Sequence, residues 1–518
     1  MTMSTATLTP STPVLGVGAV AEHTATQEHL DRASATNYHR WLAHVMPAAA
    51  CSNPIRLRVE AHWSDDAGRS VEIDHVSNTM PDGVLYVACK NRRASQCPGC
   101  AATYRADMYQ LIKAGMLGGK GVPDTVVNHP SLFVTLTAPS FGLVHTASKP
   151  GKQRPCTPRR NAIRCPHGVV QVCWLTHQPD DSHTGQPLCR DCYDYDHQAV
   201  WNLHAGELWR RTTISINRHL AAHAKRLGVR VRLQYTKVAE YQARGAVHFH
   251  ALCRLDGYDP DDKDAILTPN PAITVEHLKS YIDSAVRTTT FTTAPHPRNR
   301  DGWPIAWGEQ LDIRTVHLTP SDMDDRGQLA NTAVAGYLAK YATKATEVTG
   351  HMSKRLTAMS IQLADEDTHQ NRQLQACWYL GQRPLHVTSV RQRKDWDETW
   401  GKLQRWAHML GFGGHFATKS RRYSTTLTAL RNVRRAYQLG QQPVELQLFD
   451  APRRDHDGAG VDAELIVIHT FDGLGWLTTA DAQLANTAAA KAREHRLVAR
   501  EEIEAQLGGE EVTRCWNR

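Results

Sequence analysis

The sequence predicts an α+β protein, a mainly antiparallel sheet with helices packed on it. Three observations carry that prediction. Two β-rich runs, 231–241 and 246–255, are separated by a short loop that ends in glycine. A third run, 132–137, alternates apolar residues with threonines and stops just before Pro139, as a strand does. An alanine-rich stretch, 333–347, has the composition of a helix.

The run 246–255 is the most informative. Strand alternation sends Val247, Phe249 and Ala251 to one face and His248 and His250 to the other. Two imidazoles side by side on one strand face form a metal-binding pair. Reading Ala243-Arg244-Gly245 as a three-residue loop puts glycine where a left-handed residue is needed. The register then pairs Gln242 with Ala246, Glu240 with His248 and Val238 with His250. Directly opposed residues share a face, so Glu240 joins both imidazoles. Two histidines and a carboxylate suit a divalent ion with open coordination positions. A two-residue turn would send Glu240 to the other face, so the third ligand depends on loop length.

In the alanine-rich helix, Tyr337, Lys340, Tyr341 and Lys344 fall at i, i+3, i+4 and i+7, on one stripe. Leucine or isoleucine would be expected on a core stripe. Two phenols and two ammonium groups suit an anion, with tyrosine reaching a phosphate that lysine holds. Tyrosine ionises near pH 10, so as a nucleophile it needs a cation or base beside it. The plainer alternative is a surface helix whose lysines lie along the tyrosine rings.

Of the 12 cysteines, eight lie between Cys89 and Cys192. Cys97-x-x-Cys100 and Cys189-x-x-Cys192 are knuckles of the kind that seat zinc. The simplest partition gives Cys89, Cys97, Cys100 and Cys156 to one Zn²⁺, and Cys165, Cys173, Cys189 and Cys192 to a second. His167, His177 or His183 stands ready to replace a thiolate. Disulfides are the alternative, but no secretory signal is visible, and a cytoplasmic chain keeps its thiols reduced. The knuckles flank the strand 132–137, so the zinc module is interleaved with the sheet and has a structural role, closing loops poor in apolar residues.

At 518 residues the chain is long enough for two or three domains with real cores. Its net charge of +8 permits nucleic-acid binding without requiring it. From Gly401 to Val444 there is no acidic residue. Lys402, Arg405, Lys419, Arg421, Arg422, Arg431, Arg434 and Arg435 are interleaved there with Trp406, Phe412, Phe416 and Tyr423. Such a segment contacts phosphates and stacks on unpaired bases, with Lys419, Arg421, Arg422, Arg431, Arg434 and Arg435 as its DNA-binding set. Residues 1–40, rich in Thr, Ala, Ser and Pro at their start, read as disordered. Residues 13–21 are too short to span a membrane, and no membrane partner is expected. The segments 256–271 and 290–301 read as loops, 464–470 as a strand and 478–507 as a helix. No Walker-type loop is present, so unwinding falls to a host helicase.

Taken in order, Phe133-Val134-Thr135-Leu136-Thr137, His248-Phe249-His250 and the Tyr-x-x-Lys repeat of 337–344 resemble the three motifs of the HUH endonucleases that start rolling-circle DNA replication. From about Cys89 to about Tyr437 the chain is more closely similar to the RepSA-type initiators of actinobacterial plasmids and integrative elements. Cys97-Pro98-Gly99-Cys100, the Cys189 knuckle, Leu208-Trp209-Arg210-Arg211-Thr212 and Gly414-His415-Phe416-Ala417-Thr418-Lys419-Ser420-Arg421 add to that similarity.

The resemblance implies an HUH-type sheet that holds Mg²⁺ or Mn²⁺ on His248, His250 and Glu240. It implies tyrosine attack on single-stranded or cruciform origin DNA, leaving a 5′-phosphotyrosine link and a 3′-hydroxyl that primes the host polymerase. Lys340-Tyr341-Ala342-Thr343-Lys344 matches the single-tyrosine pattern of such initiators, which makes Tyr341 the nucleophile and Tyr337 the second choice. Some relatives carry glutamate where Tyr337 stands, so here Tyr337 instead receives the strand in a second transfer. The implied layout is a nuclease domain over 41–375 with zinc insertions at 89–192, a mostly helical basic DNA-binding region over 376–445, and a strand and helix over 446–518. The rivals are an HUH transposase or relaxase, and a non-catalytic zinc-dependent DNA-binding protein.

Overall fold

The computed structural model describes residues 17–64, 70–74, 76–148, 153–161, 163–316, 338–339, 355–364, 367–439 and 464–516. The chain forms two compact units: residues 1–103 with 442–518, and residues 104–441.

In the first unit, α1 (Val17–Ser34) and α2 (Tyr38–Val45) precede β1 (Ile55–Ser64). Along β1 run three antiparallel partners: β2 (Ser70–Asp74), β3 (Leu85–Val87) and the C-terminal strand Glu464–Leu474. Trp41, Val45, Tyr86 and Ala485 share its core. The helix at Val17–Ser34 is a correction, because composition predicts disorder through residue 40. Arg32 lies 2.9 Å from Asp82 and 2.7 Å from Asp481, partners that are distant in sequence. The expected C-terminal strand and helix are present as Glu464–Leu474 and Thr479–Trp516.

The second unit is built on a five-stranded antiparallel sheet. α3 (Pro98–Leu117) leads into β4 (Ser131–Leu136), and α4 (Tyr195–Leu227) into β5 (Val231–Tyr241) and β6 (Val247–Gly257). α5 (Val275–Thr288) and the small pair β7 (Thr290–Thr292) and β8 (Pro304–Ala306) precede β9 (Leu311–Thr315). β10 (Ala417–Lys419) joins the sheet edge beside β5, giving the order β10-β5-β6-β4-β9. The 33 residues of α4 start on an Asp194 side-chain cap and stop at Gly228, where φ is 65°.

Alternation along β6 divides the packing. Val247, Phe249, Ala251, Cys253 and Leu255 enter one core with Trp201, Leu208 and Ile216 of α4. On the opposite face, Leu252 and Val238 pack with Met108, Leu111 and Ile112 of α3 and with Tyr423. The basic segment therefore belongs to the second unit: β10 is paired with β5, and Tyr423 is buried in the same core as Val238 and Leu252. The expected boundary near residue 376 does not divide the compact units, and the residues after 446 join the N-terminal hundred.

Candidate metal centres

The β5–β6 hairpin closes through a three-residue loop. Gln242 N–H donates to Ala246 O at 2.9 Å, Gly245 N–H donates to Gln242 O at 2.8 Å, and Gly245 has φ 77°. Glu240 faces His248 and Val238 faces His250. The two Nε2 atoms lie 2.8 Å apart, and Glu240 Oε2 lies 3.4 Å from each. Adjacent ligands on an octahedral ion with bonds of about 2.1 Å are about 3.0 Å apart. The three atoms therefore fit one face of a divalent ion and leave its other positions open.

β4 orients this set. Thr135 Oγ1 is 3.1 Å from His250 Nδ1, and the Phe133 ring stacks on His250 at 5.8 Å. With Nδ1–H donated to the hydroxyl, Nε2 keeps its lone pair for a metal. Burial holds His248 below the ordinary histidine range, opposed by its hydrogen bond to Glu240, so the neutral ligand form is favoured. On the reverse face Lys237 is buried with Nζ 3.9 Å from the Phe249 ring centroid, and burial lowers it to about 7. Strand alternation aims it away from the three ligands.

Tyr337, Lys340, Tyr341 and Lys344 lie outside the described residues. Leu338 and Ala339, the described pair within that run, are buried with Val238 and Leu252.

Among the described residues, nine of the cysteines gather with three histidines into three groups where two were expected. Cys51, Cys89, Cys97 and Cys100 form the first, His145, Cys156, Cys173 and His177 the second, and Cys165, His167, Cys189 and Cys192 the third. In the first, Cys89 and Cys100 sulfurs are 3.7 Å apart and Cys97 and Cys51 sulfurs 3.9 Å. Tetrahedral zinc with bonds of about 2.3 Å sets sulfurs about 3.8 Å apart, whereas a disulfide needs about 2.05 Å. Ser52 and Cys89 donate backbone N–H groups to Cys97 and Cys51 sulfurs, each at 3.3 Å. The Cys51 thiol is drawn down to about 5, first by its hydrogen bond with Cys100 and then by backbone donors.

In the second group, His177 Nε2 is 3.4 Å from Cys173 Sγ and 3.1 Å from His145 Nδ1. His177 Nδ1 is 2.7 Å from Asp181 Oδ2, the carboxylate backing that metal-bound histidines use. In the third, His167 Nδ1 lies 3.3 Å from Cys192 Sγ and 3.8 Å from Cys189 Sγ. These donor sets are compatible with zinc, and no disulfide forms among the described residues.

The expected partition is thus corrected. Cys156 and Cys173 leave their assigned sets and meet histidines, because Thr157 and Cys173 pair across a short bridge that brings those loops together. Cys51 and His145 were missed. Cys51 lies far upstream of the cluster, and His145 belongs to no spaced motif. His183 binds Asp181 at 2.9 Å and is not among the four ligands of that group.

Most cations of the basic segment have partners within the protein. Arg431 and Arg434 lie 3.0 and 2.5 Å from the fully buried Asp107. Arg422 and Arg421 lie 3.0 and 3.6 Å from Asp264. Lys419 donates to the Ser424, Arg421 and Ser420 carbonyls, and burial lowers it to about 8. Arg435 lies in the helix Leu427–Leu439. No helix among the described residues is long and apolar enough to cross a membrane.

The profile of the family described as replication initiator protein, pSAM2 (RepSA) matches residues 37–490. A replication initiator protein of Streptomyces ambofaciens is 38% identical over 488 residues, spanning 93% of this chain and 96% of the relative. No solved structure matches.

Proposed function

The chain belongs to the RepSA family of replication initiator proteins, and from that premise we propose that it nicks single-stranded or hairpin origin DNA through a tyrosine nucleophile. The observation that carries this reading is the convergence of Glu240, His248 and His250 at one point on a rigid hairpin. When bound there, Mg²⁺ or Mn²⁺ would draw charge from a non-bridging oxygen of the scissile phosphate.

The other parts belong to the chain itself. Tyr341 Oη attacks phosphorus in line, a P–O bond forms to tyrosine, and the bond to the 3′ oxygen breaks. The phenol proton is lost, and the 3′ oxygen gains one to become the hydroxyl that primes a host polymerase. Lys340 and Lys344 hold the phosphate, and Tyr337 accepts the strand in a second transfer. Leu338 and Ala339 support this placement, because they pack with Val238 and Leu252, on the sheet face that carries the triad. Tyr341 is two residues from Ala339, a reach of at most about 7 Å.

In the same reading the three Cys/His groups hold structural Zn²⁺, and a host helicase unwinds the template. The test incubates the full chain with single-stranded origin DNA and Mg²⁺ and maps the covalent peptide by mass spectrometry. A DNA-linked peptide at Tyr341 is expected, lost in Tyr341→Phe. An adduct lost only in Tyr337→Phe would reassign the nucleophile, and no adduct with any divalent ion would overturn the nuclease reading in favour of a non-catalytic DNA-binding protein.

A further inference from the structure

From Thr125 to Pro179 the chain contains no aspartate or glutamate, while Lys149, Lys152, Arg154, Arg159, Arg160 and Arg164 fall inside that stretch. Within it Ser131–Leu136 is strand β4, and the described part of 141–179 folds into an irregular ribbon. Thr157 pairs with Cys173 and Arg164 with Val170 across it. Its lengths are tied by two of the ligand groups, since Cys156 and Cys173 belong to one and Cys165 to the other. With zinc in both groups the ribbon would be braced by its ligands rather than by an apolar core.

Two features of this ribbon need a partner. Arg154, Arg159, Arg160 and Arg164 are all exposed; among the described residues none has a carboxylate partner, and Arg164 Nη1 donates to the Gly168 carbonyl at 2.7 Å. The basic segment at 419–434 differs, because its arginines meet Asp107 and Asp264. Trp174 is 61% exposed and Leu175 66% exposed, although Cys173 and His177 on either side are buried. A turn fixed by two ligands thus holds an indole out into solvent. A solvated basic ribbon accounts for the arginines alone. It gives no reason for an indole presented on the same ribbon.

We propose that this metal-braced ribbon is a contact surface for single-stranded DNA, with the four arginines on phosphates and Trp174 stacked on an unpaired base. Guanidinium groups match the phosphate backbone, and an aromatic face accepts any base without reading its sequence. The ribbon also abuts the nuclease hairpin. His145 O accepts from Gly185 N–H at 2.8 Å. A Cβ on Gly185 would lie 2.4 Å from the Ala243 carbonyl carbon at the hairpin tip. The His145 end of the ribbon thus lies beside the Gly185 loop, which touches the tip of the hairpin that bears Glu240 and His248. The inference rests on the reading above only in that the substrate is origin DNA, and it requires no nicking.

The test measures binding of zinc-loaded full chain to a fluorescent single-stranded origin oligonucleotide without Mg²⁺ or Mn²⁺, across a salt series. Arg159→Ala/Arg160→Ala should lower the slope of log affinity against log salt by about 1.4, since each single-strand phosphate contact contributes about 0.7. Trp174→Ala should weaken binding about ten- to a hundredfold, and Trp174→Phe should restore most of it. Zinc content equal to that of the wild type shows that the variants are folded. Wild-type slope and affinity in both alanine variants overturn the proposal. Weakening confined to duplex DNA also overturns it, and so does unchanged DNA binding with loss of a protein partner. An intact effect here with no tyrosine adduct would sink the nicking reading alone.

Discussion

In the β5–β6 hairpin, Glu240, His248 and His250 sit on eleven-residue strands that are largely buried, with helix α4 behind them. In residues 141–193 the ligands sit on short bridges and turns, and among the described residues there the helical elements amount to one 3₁₀ turn, Arg190–Cys192. Packing positions the first set, so its geometry exists before any ion arrives. The second set has little apolar area of its own, and its donor sets are compatible with zinc, which would fix their geometry when bound. On the proposed reading these would be two kinds of metal site: one with open positions on a preformed face, and closed four-ligand sites that hold loops in place.

Stripping zinc should separate the two regions most sharply, because structural zinc contributes on the order of 10 kcal/mol to such modules. After a strong chelator, amide exchange in 141–193 should approach that of an unfolded chain while β5 and β6 stay protected. Equal loss in both regions would break the comparison. Next in size, His250→Ala should slow adduct formation on the order of 10³-fold and leave zinc content unchanged, because charge stabilisation of several kcal/mol is lost. Single-turnover kinetics with metal analysis reads both.

Arg431→Ala/Arg434→Ala should destabilise the second unit by about 3 kcal/mol, since it leaves the buried Asp107 without these two cations. Thermal unfolding measures this loss, and a salt slope for DNA binding close to the wild type would confirm that these arginines serve the fold. Thr135→Val should weaken Mn²⁺ binding about ten- to a hundredfold by electron paramagnetic resonance, with Thr135→Ser near wild type.

A further test concerns Lys237. Burial holds it near 7, below the ordinary lysine value. Between about pH 7 and pH 10 the unfolded chain binds a proton there that the folded chain does not, so stability rises with pH across that window. Denaturant melts should show the rise, and Lys237→Met should flatten it.

The hairpin was legible because strand alternation and a glycine-ended loop set register locally, and a one-residue change would have moved Glu240 to the wrong face. The zinc partition was not legible. Which cysteines meet depends on loops brought together by the fold, as when Thr157 pairs with Cys173 and so sets Cys156 beside His145. The same blindness affected charge. An acid-free stretch at 401–444 read as free for DNA, yet Asp107 and Asp264 reach it from far upstream. Residues 1–40 misled for a related reason, since Arg32 finds Asp481 at the other end of the chain. Spacing within a segment reveals what neighbours do, and it cannot show partners supplied by topology.

The most direct test of two metal regimes in one chain is native mass spectrometry of the full protein titrated with Mn²⁺, on wild type and Glu240→Ala. The wild type should carry three tightly held zinc ions and take up one manganese. Glu240→Ala should keep all three zinc ions and lose the manganese. Manganese uptake unchanged in Glu240→Ala, or zinc lost together with it, would contradict the account.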